Sequence, residues 1–127
     1  MESQTKTLLK KSAEDEQTMG LAGLPPTQFG FHAQQAVEKL LKALLSERGI
    51  SYPWTHNLKD LINLLTKSGE TLPRTPLAIM ELTAFASVWR YDDPPQEMLL
   101  DSAEASDTVR ILREFVVKRV AELNRQV

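Results

Sequence analysis

Apolar residues in this chain recur at helical spacing and hardly anywhere at strand spacing. The clearest case lies near the C-terminus, where Val109, Leu112, Val116, Val120 and Leu123 follow one another at steps of three, four, four and three. Side chains spaced in this way line one face of an α-helix. A half-buried strand would need alternation with period two, and no stretch keeps that pattern for long. No Asn-Gly or Asp-Gly hairpin turn occurs either. The chain is therefore expected to be all-α, and its 127 residues suit one domain, 1–127, around a single core.

Glycine and proline divide the remainder into further helices. The first is expected over about Ser3 to Ala22, with a thin stripe of Leu8, Leu9, Ala13 and Met19 and a stop at Gly23, Pro25 and Pro26. The second runs from about Thr27 to Arg48; Ala33, Val37, Leu40, Leu41 and Leu44 share one broad apolar face, and Gly49 suits the C′ position. The connector ISYPWTH reads as a loop with aromatic anchors. A third helix starts at an Asn57 cap with Asp60 at N3, carries Leu58, Leu61, Ile62 and Leu65, and closes at Gly69. Thr75 and Pro76 open a fourth, PLAIMELTAFASVWRY. It is apolar on more than one side, which fits a central helix or one turned toward a second subunit. The last helix opens at Asp101, with Glu104 three residues on as a capping box. The expected architecture is an antiparallel up-and-down four-helix bundle, with the Asn57–Ser68 helix either a short additional element or one of the four. Short connectors make sequential helices antiparallel neighbours.

Several kinds of chemistry are excluded or disfavoured by what is missing. Fifteen Lys and Arg against 17 Asp and Glu give a net charge of -2, without the basic excess typical of a nucleic-acid binder. There is no cysteine, so disulfides, thiolate nucleophiles and Cys-ligated metals are out. The two histidines stand 24 positions apart, so no paired-histidine metal motif can form, and no metal or cofactor is expected. No glycine-rich phosphate loop and no Gly-x-Ser-x-Gly elbow occurs. Without a signal-peptide core or a membrane-length apolar run, a cytoplasmic location is expected.

Two clusters carry the remaining chemistry. The first is the polar half of the second helix: His32, Gln35, Glu38, Lys39 and Lys42. Gln35 with Lys39 and Glu38 with Lys42 are i,i+4 neighbours, which a solvated surface ladder would explain. Phe31 and Leu45 lie on the same side, and that mixture fits an interface or shallow groove better than bulk water. The second cluster is WRYDDPP. Arg90 ends an apolar helix beside Ile79, Ala86 and Trp89, so its guanidinium needs an acceptor. Asp92, Asp93 or Glu38 would serve, and so would a ligand phosphate, with Tyr91 able to stack on a base or donate a hydrogen bond. His56 stands just ahead of the Asn57 cap, where helix-start N–H groups favour anions; it is otherwise an ordinary loop residue.

FHAQQAVEKLLKALL, then THNLKDLINLL, then a helix ending RYDD, together resemble the HEPN domain family over roughly residues 5–125. The resemblance implies a helical bundle, a homodimer, an association with nucleotides or RNA, and in many cases a minimal nucleotidyltransferase partner in a toxin–antitoxin-like pair. Active ribonucleases of the family carry an Arg followed four to six residues later by a His. Here YDDPPQEMLL follows Arg90, and no histidine occurs downstream. The expectation is therefore a nucleotide- or nucleic-acid-binding homodimer, leaning away from an enzyme. Lys39, Lys42 and Arg90 would hold phosphate, with His32, Gln35, His56 and Tyr91 close by. The alternatives are a metal-independent endoribonuclease toxin using His32 or His56 with Arg90, and a purely structural helical dimerisation module.

Overall fold

The computed structural model describes residues 3–73, residue 83 and residues 101–125. All regular structure among them is helical: α1 (Gln4–Met19), α2 (Pro26–Glu47), α3 (Leu58–Lys67) and α4 (Ser102–Arg125). The expected helix from Pro76 to Tyr91 lies outside the described residues, apart from Thr83, and so do Arg90 and Tyr91.

Local chemistry sets the helix ends. The Ser3 hydroxyl accepts from the Lys6 N–H at the start of α1, and Pro26 opens α2 where a missing N–H is tolerated. Asn57 Oδ1 accepts from the Lys59 N–H, and the Leu58 N–H donates to the Thr83 hydroxyl, which satisfies the start of α3. Asp101 Oδ1 accepts from the Glu104 N–H at α4. The ends of α2 and α3 repeat one motif. Gly49 (φ 72°) and Gly69 (φ 101°) take left-handed backbone, while Ile50 N donates to Leu45 O and Glu70 N to Leu65 O.

The core is built on α2. Ala33, Val37, Leu40, Leu41 and Leu44 are at most 1% exposed, as their shared face predicts. They pack with Leu58, Leu61 and Leu65 of α3 and with Ala105, Val109, Leu112, Val116 and Val120 of α4. Each fully buried leucine contributes about 1.5–3 kcal/mol of hydrophobic stabilisation. Leu45, on the mixed side of α2, is also fully buried.

Three expectations are corrected. α1 ends at Met19, with Gly20 as its C-cap, rather than running on to Ala22. Its buried residues are Thr5, Ser12, Asp15 and Met19, while Ala13 is exposed and Leu8 and Leu9 are half-buried. Met19 and Leu9 reach the core, but Ser12 and Asp15 add polar contacts to α2, which an apolar stripe cannot reveal. Sequential helices are also not all antiparallel. Between α1 and α2 rising numbers meet falling ones, Ser12 to Ala36 and Asp15 to His32, so that pair is antiparallel. Between α2 and α3 they rise together, Gln34 to His56 and Arg48 to Ser68. The connector doubles back along α2, and α3 then runs beside it in the same direction.

Candidate functional site

The polar half of α2 is covered by its own chain, α1 on one side and the connector to α3 on the other. Two buried carboxylates organise it. Asp15 of α1 sits between His32 and Lys39, which stand two helical turns apart on α2. Its carboxylate lies 2.9 Å from His32 Nδ1 and 2.5 Å from Lys39 Nζ. Glu38 of α2 takes Lys42 Nζ at 3.1 Å, Gln34 Nε2 at 3.0 Å and His56 Nδ1 at 2.8 Å. Gln34 Nε2 also donates to the His56 carbonyl at 3.0 Å, and its Oε1 accepts from Gln35 Nε2 at 2.7 Å. Ser12 Oγ donates to Ala36 O at 3.1 Å.

Two consequences follow from this geometry. An ionised carboxylate only accepts, so Nδ1 is the donor in each histidine and Nε2 is left as the outward nitrogen. The His56 side chain is 55% exposed and that of His32 is 27% exposed, so Nε2 is the more accessible on His56. Moreover, the lysines Lys39 and Lys42 are matched one for one by Asp15 and Glu38. Among the described residues the face therefore carries no surplus of fixed positive charge toward a phosphate.

The connector is fastened by the same network. Tyr52 accepts at its hydroxyl from Gln4 Nε2, 2.6 Å away, and Lys42 Nζ lies 5.6 Å from its ring centroid. Burial is the main cause that raises the Tyr52 phenol above its ordinary pKa; the Gln4 hydrogen bond opposes this and the Glu38 charge adds to it. Tyr52 is the aromatic anchor expected in this loop. Trp54 is not an anchor: it is 97% exposed.

Other ion pairs tie the remaining elements together. Glu70, buried just past α3, binds Arg48 and also takes Arg119 Nε of α4 at 2.9 and 3.0 Å. That hydrogen bond holds the Arg119 guanidinium above the ordinary arginine range. Glu16 of α1 faces Arg113 of α4 at 3.3 Å. Burial raises the Glu16 pKa, and Arg113 partly offsets the rise. A cavity of about 430 Å³ opens where Met19, Leu24 and Phe29 meet Ser102, Ala103 and Ser106, and none of the sequence-predicted site residues among the described residues lines it. Among the described residues no three His, Asp or Glu side chains converge as a metal site would require.

Of the seven sequence-predicted site residues, five are thus held in two neighbouring clusters on α2: His32 and Lys39 on Asp15, and Lys42, His56 and, through Gln34, Gln35 on Glu38. Arg90 and Tyr91 lie outside the described residues. Sequence reasoning missed Asp15 and Gln34. Asp15 falls at helical spacing with Thr5, Ser12 and Met19, but three of the four are polar, so no apolar stripe marked that face in the sequence.

An all-helical domain whose central helix packs Phe-His-Ala-Gln-Gln against its own chain defines the class, and comparison with known families gives the family. The HEPN domain family matches residues 28–123, and the chain belongs to it. The matched span takes in α3 and nearly all of α2 and α4. Membership supports a nucleotide- or RNA-related role. No curated protein and no solved structure matches the chain. No described helix is long and apolar enough to cross a membrane.

Proposed function

We propose that this chain is a HEPN protein that binds a nucleotide or nucleic acid rather than cleaving RNA, and that it acts as a homodimer in the cytoplasm. The bundle is completed as an antiparallel up-and-down four-helix unit, with α3 as the short additional helix. The partner is a minimal nucleotidyltransferase, in a toxin–antitoxin-like pair. The observation that carries the binding reading is the sequence after Arg90. Tyr91, Asp92, Asp93, Pro94 and Pro95 stand there, and no histidine occurs anywhere downstream. The spacing that supplies acid–base chemistry in the family's nucleases is absent.

In this reading Arg90 supplies a cation for phosphate, and Tyr91 a ring or hydroxyl for the base. Lys39 and Lys42 can contribute only by sharing their ammonium groups with Asp15 and Glu38. His32 stands at the edge of the Asp15 cluster, and Gln35 and His56 at the edge of the Glu38 cluster. The test is a thermal-shift titration with ATP and GTP. Ligand should raise the melting temperature of the parent chain, and Arg90→Ala should lose that rise. Light scattering at micromolar concentration should return a dimer mass. No shift with either nucleotide would sink the binding reading and leave the structural dimerisation module in its place.

A second reading draws on one observation. His56 Nδ1 is held 2.8 Å from buried Glu38, which orients Nε2 outward as a general base needs. A metal-independent endoribonuclease built on His56, or on His32, together with Arg90 would cleave RNA in chelator. It would also lose activity in both Arg90→Ala and the matching His→Ala variant. RNA left intact after long incubation with the pure chain removes it.

A further inference from the structure

Trp54 is presented to solvent by a loop fixed on both sides. Before it, Tyr52 is tied to Gln4 and lies against Lys42. After it, the His56 ring is tied to Glu38 and the His56 carbonyl to Gln34, while Thr55 Oγ1 accepts from the Asn57 N–H at 3.0 Å. Between these anchors Pro53 restricts the backbone further. A loose loop would let an indole fold back on apolar surface. This one holds the ring out, 97% exposed, with no hydrogen bond or ring contact among the described residues.

Pro53, the chain neighbour of Trp54, lines a cleft of about 260 Å³ on the outer face of α3 together with Asp60, Asn63, Leu64 and Lys67. Asp60, Asn63 or Leu64, and Lys67 fall at successive turns of α3, so they form one stripe facing away from Leu58, Leu61 and Leu65. The cleft is below the roughly 300–1,000 Å³ of sites that enclose whole drug-sized molecules, and it suits a smaller flat fragment. Its polar groups are uncommitted: among the described residues the side chains of Asp60, Asn63 and Lys67 have no hydrogen-bond or ion-pair partner. Asp60 can only accept, the Asn63 amide both donates and accepts, and the Lys67 ammonium donates and carries charge.

We infer that Trp54 and the Asp60–Asn63–Lys67 stripe form a contact site for one nucleobase and its attached phosphate. The indole offers a stacking platform, Asn63 and Asp60 read the base edge or ribose hydroxyls, and Lys67 meets the phosphate. This rests on the nucleotide- or RNA-binding reading above and adds a contact separate from the α1–α2 network and from Arg90. The same chemistry is offered by a free nucleoside monophosphate and by one residue of a single-stranded RNA.

The experiment measures binding of an end-labelled short single-stranded RNA by anisotropy at low salt, with GMP and AMP as competitors, using the full chain. Trp54→Ala should weaken RNA binding on the order of 10- to 100-fold, the usual loss of one base–aromatic stack. Trp54→Phe should retain most of the affinity. Asn63→Ala should cost less than Trp54→Ala, and Lys67→Gln should flatten the salt dependence by about one phosphate contact. Melting curves of all four variants should match the parent, because none of these side chains is buried. Matched loss of GMP or AMP competition assigns the site to a single nucleotide; loss for RNA alone assigns it to a strand. Parent-like RNA and nucleotide binding by Trp54→Ala overturns the site while leaving the binding reading intact. A Trp54→Ala variant that loses only self-association or a protein partner overturns it in favour of a protein contact. A parent chain that binds neither RNA nor nucleotide overturns both the site and the reading.

Discussion

The polar face of α2 and the outer face of α3 use similar residues to opposite ends. Histidine, lysine, glutamine and two carboxylates on the α2 side are satisfied within the chain, covered by α1 and by the connector. Aspartate, asparagine and lysine on the α3 side share a cleft with Pro53, the chain neighbour of an exposed tryptophan, and have no partner among the described residues. Polar composition alone therefore does not separate a brace from a binding surface. What separates them is whether a buried acceptor has taken the donors. A buried ion pair is costly to break because the survivor is left desolvated, whereas an uncommitted surface group is nearly neutral for stability.

That contrast is broken most directly at Asp15. Asp15→Ala removes the only partner of Lys39 among the described residues and the Nδ1 partner of His32, and it cuts one polar tie between α1 and α2. The loss in urea unfolding should be about 3 kcal/mol, the lower end of the range for breaking a buried pair, because Lys39 keeps 22% side-chain exposure. A loss under about 1 kcal/mol would mean that the α2 network is a surface ladder after all. Ser12→Ala should have a smaller effect of the same kind. It deletes one buried donor to Ala36 O while that carbonyl keeps its place in the helix ladder, so about 1 kcal/mol is expected by the same measurement.

Much of the fold was legible because a buried apolar stripe leaves a period in the sequence. The core face of α2 and the Val109–Val120 stripe of α4 were read directly, and Asn57, Gly49, Gly69 and Asp101 marked their helix ends. The docking of α1 was not legible. Asp15 stands between Glu14 and Glu16, and nothing in that run says which carboxylate turns inward. The direction of α3 was hidden too, because it depends on a connector held by Tyr52 and His56, residues far apart in sequence from Gln4 and Gln34. For the site, the sequence picked out the donors on α2 but could not tell that Asp15 and Glu38 had claimed them. It also treated the loop aromatics alike, although Tyr52 is fastened and Trp54 is not.

Glu16 gives a pH-dependent test of the α1 side, with an effect smaller than the loss of Asp15. Burial raises its pKa above 4.5, so the folded chain holds that proton more tightly than the unfolded chain does. Its contribution is therefore most favourable below about pH 4.5 and declines as pH rises from there through the folded-state value. Glu16→Gln has no proton to lose. Relative to that variant, the parent chain should lose melting temperature from pH 4.5 upward, then level off. A difference that stays flat, or that grows in favour of the parent, would show that Arg113 outweighs burial at this position.

The smallest stability effect is expected on the open face, and it sharpens the comparison most. Asp60, Asn63 and Lys67 are exposed, and Trp54 buries almost none of its surface. Single replacements there should move the unfolding free energy by no more than about 0.5 kcal/mol. Removing the indole cannot leave a cavity, because nothing is packed on it. If Trp54→Ala destabilised the chain by 2 kcal/mol or more in urea, as a core aromatic would (about 3–5 kcal/mol), the loop would be part of the brace. The division between a satisfied face and an open one would then fail at its clearest residue. Near-zero destabilisation locates the value of Trp54 outside the folded chain, in whatever its exposed ring contacts.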